Sequence, residues 1–177
     1  MGLGPAQRSE DRRYCHPRAD GGPRHSGRSW IPAFAGTTRF VIDFSKGAIV
    51  NRGVDWLKMA ERDLGYAEVG AASGYHEGAA FHAQQCAEKA VKALVMSLHG
   101  AVRGHAVTEI IRQLPASVKV PAEILNAAQQ LDKVYVTSRY PNGFAWGNPS
   151  DYFSENDSRE LIAYGKQVLE WCRSQIS

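Results

Sequence analysis

The sequence predicts an all-α protein: an antiparallel bundle of four long helices plus one short helix, preceded by a disordered N-terminal extension. Three observations predict it. From Val54 onward, apolar residues recur at spacings of three and four, the signature of helices with one buried stripe. The runs are punctuated by Ser73-Gly74, Gly100, Pro115 and Pro141-Asn142-Gly143, all of them helix stops or turn formers. No stretch of the same region alternates apolar and polar residues as a half-buried strand would.

The first helix is expected over about 54–73. Trp56, Ala60, Leu64, Ala67 and Ala71 form its inward stripe, and Asp55, Lys58, Glu61 and Arg62 its wet side. Gly65 and Gly70 cost helix propensity, and among so many alanines they are expected to admit a close neighbour. The second helix spans roughly 76–99, with Phe81, Val91, Leu94, Val95 and Leu98 on its apolar side and Gly100 as its stop. The tight connection from Gly74 to His76 makes these two helices antiparallel neighbours. A short helix follows at 106–114 with Ile110, Ile111 and Leu114 inward, and His105 caps it, packs at its start or contacts a ligand. The fourth helix opens at Pro121 and runs to about Thr137, burying Ile124, Ala128, Leu131 and Tyr135. A long loop to Tyr152 carries Phe144 and Trp146, so it either packs over the core or belongs to a site. Ser154 caps the last helix, whose inward stripe is Leu161, Tyr164, Val168 and Cys172.

Composition divides the chain in two. Residues 1–49 hold eight Lys/Arg and four acids, a charge of +4. Residues 50–177 hold the other 13 basic and 14 acidic residues, a charge of −1. The body is therefore not a generally basic nucleic-acid binder, and any phosphate site in it must be local. Residues 1–49 are rich in Gly, Pro, Arg and Ser and show no periodicity, so they bury too little apolar area to offset their ordering entropy. They lack the apolar core of a secretory signal. Residues 28–38, Arg-Ser-Trp-Ile-Pro-Ala-Phe-Ala-Gly-Thr-Thr, resemble translated bacterial intergenic repeats. The expectation is that 1–49 lie upstream of the true start and that the folded domain, 50–177, begins near Val50.

No apolar run reaches the ~20 residues of a membrane span. Three cysteines without a CxxC pair argue against a disulfide framework or a zinc site and suit a reducing cytoplasm. Cys86 and Cys172 fall in helical patterns as small core residues. There is no Gly-rich phosphate loop, GxSxG or HExxH, and no Glu-x-x-His pair for a di-iron bundle. No metal site and no cofactor are expected. What remains is a polar stripe on the second helix: His82, Gln85, Lys89 and Lys92, spaced three, four and three. An imidazole, an amide and two ammoniums on one face suit an anionic ligand; they equally describe a solvated face.

The segment Phe81-His82-Ala83-Gln84-Gln85-Cys86-Ala87-Glu88-Lys89-Ala90-Val91-Lys92-Ala93-Leu94, with Gly104-His105, Leu131-Asp132 and Tyr135-Val136-Thr137-Ser138-Arg139-Tyr140-Pro141, resembles the HEPN domain family over about residues 52–175. The resemblance implies a helical bundle, commonly a symmetric homodimer, often encoded beside a minimal nucleotidyltransferase in a toxin–antitoxin-like module. Some members resemble metal-independent ribonucleases that carry an Arg followed, after four to six residues, by a His. The His moves a proton as the RNA 2′-hydroxyl attacks, and the Arg stabilises the phosphorane charge. Arg139 takes the Arg place, either as a phosphate or nucleotide contact or as a structural salt bridge or loop anchor, but Phe144, Ala145 and Trp146 occupy the places open to the His. His82 stands in for it only if the bundle or a dimer mate brings it near Arg139. Tyr140 has three readings: stacking on a base, modification by the nucleotidyltransferase, or packing.

The sequence thus predicts a nucleotide- or RNA-binding protein with His82, Gln85, Lys89, Arg139 and Tyr140 as its binding residues, the first four converging on one cleft. The alternatives are a ribonuclease toxin and a purely structural dimerisation module. Intact-mass measurement on protein from the native host should give a chain beginning near Val50; a mature chain retaining residues 1–49 would overturn that start.

Overall fold

The computed structural model describes residues 52–176. The expectations for residues 1–49 and for a start near Val50 lie outside them. Five α-helices make up the fold: α1 (Gly53–Ala72), α2 (His76–Ser97), α3 (Val107–Arg112), α4 (Ala122–Thr137) and α5 (Glu155–Gln175). Two single 3-10 turns, Pro141–Gly143 and Pro149–Asp151, shape the loop between α4 and α5. The four long helices and one short one are those the periodicity predicts, and no strand occurs among the described residues. No helix there is long and apolar enough to cross a membrane.

The helix ends follow local chemistry. At the end of α1, Gly74 adopts φ 81°, Tyr75 N donates to Gly70 O (2.9 Å) and Gly74 N to Ala71 O (3.1 Å), which completes a Schellman turn. The same turn closes α2, but one residue earlier than Gly100 suggests. His99 takes the left-handed φ of 60°, while Gly100 N donates to Val95 O (2.9 Å). A non-glycine residue there is uncommon and carries a backbone cost. Ser154 and Asp157 form a reciprocal capping box at α5. Asp157 is held below the usual carboxylate range by the hydrogen bonds it accepts from Ser154. The start of α3 is capped not by His105 but by Asp132 of α4, whose two oxygens accept from Val107 N (2.7 Å) and Thr108 N (3.0 Å).

Helix α2 is the axis of the bundle. It packs on α1, α4 and α5, and α3 spans α2 and α4. Val91, Leu94, Val95, Ile110, Leu131 and Val168 are completely buried. Each such side chain contributes about 1.5–3 kcal/mol of transfer free energy. The face of α2 toward α5 is instead made of Ala83, Cys86, Ala87 and Ala90, all with no exposure. Small side chains let the two backbones come together: a Cβ built on Gly165 would lie 2.8 Å from Ala83 O. The expected close approaches at Gly65 and Gly70 are different in kind. Gly65 has nothing within 4 Å of its Cβ position, and Gly70 makes ordinary contact with Ala79 and Tyr75. Phe81 also departs from expectation, lying half-buried at the edge of α2 rather than in the core.

Two glycine substitutions should therefore have opposite signs. Gly165→Ala should destabilise by about 1–3 kcal/mol, because backbone must move to admit the methyl group. Gly65→Ala should stabilise by up to about 1 kcal/mol, through helix propensity alone. Urea unfolding followed by circular dichroism measures both.

Candidate functional site

The polar stripe of α2 is built around two buried carboxylates. Asp63 on α1 sits within that helix's inward stripe and is 5% exposed; Glu88 on α2 is 4% exposed. A carboxylate so far from water needs a cation or several donors. Asp63 receives Lys89 as an ion pair, and its Oδ1 lies 3.1 Å from His82 Nδ1. Glu88 Oε1 accepts from Lys92 (2.8 Å) and faces His105 Nδ1 at 3.1 Å. Its Oε2 takes the Gln85 amide (3.1 Å) and the Gln84 amide (3.3 Å). Gln84, fully buried, also donates to His105 O (3.0 Å) and so ties the segment before α3 to α2.

Lys89 and Lys92 are thus engaged within the chain. They are neither a solvated face nor free ligands for an anion. Lys92 also lies over the Trp56 ring at 5.5 Å. The positive charge predicted for a ligand along α2 is largely neutralised by Asp63 and Glu88.

Arg139 is placed differently. It follows the last turn of α4, where its Nε donates to Tyr135 O (2.9 Å). The guanidinium carbon lies 4.3 Å from the Tyr135 ring centre, 4.7 Å from Phe81 and 5.2 Å from Tyr140. Three aromatic rings hold the charge through their π faces. Among the described residues no carboxylate lies within ion-pair distance of it. Asp132 is occupied with α3 and Glu88 with Lys92 and His105.

The antiparallel course of α4 and α2 brings Arg139 over Phe81, next to His82 in the chain. The His82 ring lies 5.3 Å from Phe81 and 5.4 Å from Tyr66. His105 stacks on Tyr135 at 5.2 Å and 15°. An imidazole therefore stands on each side of Arg139, one ring removed, with its Nδ1 against a buried carboxylate. Orientation of this kind fixes which ring nitrogen faces outward. Gln85 lies one turn from Phe81 on the same edge of α2 but points to Glu88. Lys89 lies two turns away, against α1. Of the predicted set, Arg139 and Tyr140 are neighbours, His82 is joined to Arg139 only through the Phe81 ring, Gln85 turns to Glu88, and Lys89 to Asp63.

Three further groups belong to this arrangement: Asp63, Tyr135 and His105. Asp63 could be found from the sequence, since it falls three residues after Ala60 and four before Ala67, inside the apolar stripe. His105 and Tyr135 are 30 residues apart in number, and only the packing of α3 on α4 stacks them. The positions after Arg139 hold a different structure. Phe144 stacks on Tyr152 at 3.9 Å and 7°, and Tyr152 Oη donates to Trp146 O (2.7 Å). Among the described residues no group of three His, Cys, Asp or Glu side chains is placed to hold a metal ion.

A helical bundle with an Arg just past the end of its fourth helix, set against a His-bearing second helix, defines the class. The chain belongs to the HEPN domain family, whose model matches residues 54–175. It is 32% identical over 126 residues to a Methanocaldococcus jannaschii protein named "Putative toxin MJ1304", covering 65% of this chain and 82% of that one. Among solved structures it is similar to TT1696 from Thermus thermophilus, with a TM-score of 0.70 and 30% identity over 71% of this chain and 99% of that one. It is also similar to ST0689, an archaeal HEPN homologue, with a TM-score of 0.62 and 42% identity over 71% and 98% of the two chains.

The two described cysteines stand apart from this chemistry. Burial pushes the Cys86 thiol up to about 12, and Cys172 is raised well above the ordinary value by the same cause. A thiol is reactive as thiolate. Peptide mapping after treatment of the native protein with a thiol reagent at pH 8 should find Cys86 and Cys172 unlabelled. Both should label once the protein is unfolded. A raised folded-state value favours the fold below the unfolded thiol's value near 9 and loses that contribution as pH rises toward 12. Cys86→Ala should therefore flatten the alkaline fall in stability between those limits.

Proposed function

We propose that this HEPN protein binds the phosphate of RNA or of a nucleotide at Arg139. In this reading it acts as a homodimer with a minimal nucleotidyltransferase partner, in a toxin–antitoxin-like module. One observation carries the reading: Arg139 is a half-buried guanidinium without a carboxylate among the described residues, aimed by Tyr135 O and held between rings. A permanent cation spared internal neutralisation is available to an external anion, and its planar fork suits phosphate oxygens. Tyr140, half-exposed beside it, is a surface for a base. The M. jannaschii relative's name supports a toxin-like setting, and the partner follows from what the family resemblance implies.

A second reading, a metal-independent ribonuclease, is favoured by one feature. The His82 ring shares Phe81 with Arg139, and Asp63 holds its Nδ1, so that Nε2 faces away from the carboxylate. In that reading His82 supplies the proton transfer that no residue after Arg139 supplies.

Arg139→Ala should weaken binding of RNA or nucleotide at least about tenfold, consistent with loss of one charge-assisted contact of about 1.5–3 kcal/mol. The effect should shrink in high salt. Arg139→Lys should recover only part, lacking the planar fork. Fluorescence anisotropy measures both, and unchanged affinity in Arg139→Ala would sink the site. RNA cleavage in EDTA, lost in His82→Gln while binding persists, would decide for the ribonuclease; binding without cleavage decides against it. Light scattering should give twice the monomer mass.

A further inference from the structure

We infer that the ligand is single-stranded RNA and that it runs from Arg139 across α2 onto α1, stacking on Tyr66. The inference rests on Arg139 as the phosphate site and adds a direction and a second contact. It comes from a feature that neither the carboxylate clusters nor the family resemblance explains: basic groups and rings alternate without a gap over three helices.

The alternation starts on α1. The Arg62 guanidinium carbon lies 5.7 Å from the Tyr66 ring centre, and an Arg62 nitrogen donates to Tyr66 Oη at 3.1 Å. Tyr66 meets His82, His82 meets Phe81, and Phe81 meets Arg139, at 5.4, 5.3 and 4.7 Å. Tyr140 closes the series beyond Arg139 at 5.2 Å. The two end rings are the open ones: Tyr66 and Tyr140 are each 51% exposed. Tyrosine rings left in water cost apolar exposure with no return in the isolated chain, and Arg62 is spent on orienting one of them.

The alternation decides the kind of ligand. A protein partner would be met by contiguous apolar surface rimmed with polar groups. Along the line a guanidinium or an imidazole separates each ring from the next, and the exposed aliphatic residues one turn from its end rings, Val69 and Val136, are single side chains on separate helices rather than one patch. Rings for bases and cations for phosphates, interleaved, are what a single strand uses, because every base has a stacking face and every linkage a charge. Duplex RNA hides its bases and offers rings nothing to stack on. Of the acids near the line, Glu77, one turn before Phe81 on α2, has no cation within ion-pair distance among the described residues, and the others are taken. Asp63 is occupied by Lys89 and His82, Glu88 by Lys92, and Glu61 by Arg173. The attraction is therefore local, as a body with a net charge of −1 requires. Helices packed about 8–10 Å apart make the line longer than a single nucleotide.

Length dependence tests this on the full chain. Anisotropy competition with a uridine dinucleotide and a uridine octanucleotide should show the octanucleotide binding more tightly. Tyr66→Ser should reduce octanucleotide affinity about fivefold or more, the scale of one lost base stack, and leave the dinucleotide unchanged. Tyr66→Phe should restore it. Arg139→Ala should weaken both ligands. If Tyr66→Ser leaves the octanucleotide unaffected while Arg139→Ala weakens both ligands, the track is overturned and the phosphate site stands. If neither ligand binds, both readings fall. Duplex RNA binding as tightly as the single strand would overturn the stacking assignment. So would a Tyr66→Ser variant that turns a dimer into a monomer without changing RNA affinity, because the face would then belong to a second copy of this chain.

Discussion

Two carboxylates kept from water govern how charge is distributed over this molecule. Asp63 and Glu88 lie on either side of α2, and neither can remain ionised there alone. Lys89 and Lys92 answer them, and His82 and His105 complete the sets. Removing one member of such a group leaves its partner buried and unpaired, which costs about 3–5 kcal/mol in a fully buried pair and less where water reaches the lysine. The arrangement locks α1 to α2 through Asp63 and the segment before α3 to α2 through Glu88. It also explains why a helix that carries two lysines on one stripe offers little net charge outward. Arg139, past the end of α4, by contrast has no carboxylate within ion-pair distance among the described residues.

The same helix meets a second constraint on its opposite side. Ala83, Cys86, Ala87 and Ala90 bring α2 so near α5 that Gly165 has no room for a side chain, and Cys86 Sγ reaches Gly165 O at 3.7 Å. Close packing there fixes the rotation of α2 about its own axis. With that rotation set, His82 must face α1 and Phe81 must face α4. The geometry around Arg139 is thus settled in part by an alanine seam on the far side of the helix. Side chains held by packing keep their orientation, so the seam also steadies the groups around Arg139.

The fold was largely legible in the sequence, and the reasons are local. Spacing of three and four, Ser154 with Asp157, and Ser73-Gly74 act within a few residues, so the chain announces them. The failures mark where distant contacts take over. Gly100 looked like the stop of α2, yet His99 holds the left-handed position, because register within the turn is decided by which carbonyl the following amides reach. Phe81 read as core, yet it serves Arg139, because the alanine face and not the large side chains points at α5. Lys89 read as a ligand residue because its partner sits 26 positions earlier, on another helix. Arg139 and His82 could be paired only by supposing α2 and α4 antiparallel neighbours, a supposition the bundle fulfils.

The departure after Arg139 then has a physical account. In the sequence pattern the resemblance implies, a His would stand at 144, 145 or 146. Here that stretch is committed to its own structure. Phe144 lies flat on Tyr152, Tyr152 Oη is tied to Trp146 O, and Gly147 takes φ 74° with Asp151 Oδ2 2.7 Å from where its Cβ would be. Asn148 and Asp151 close a capping box over the next turn. The loop is therefore closed by aromatic stacking and its own hydrogen bonds, and residues 144–146 carry no imidazole. The imidazoles nearest Arg139 arrive instead from α2 and from the segment before α3, through Phe81 and Tyr135. Both imidazoles are placed by the packing of separate helices, and each is held by one of the two buried carboxylates.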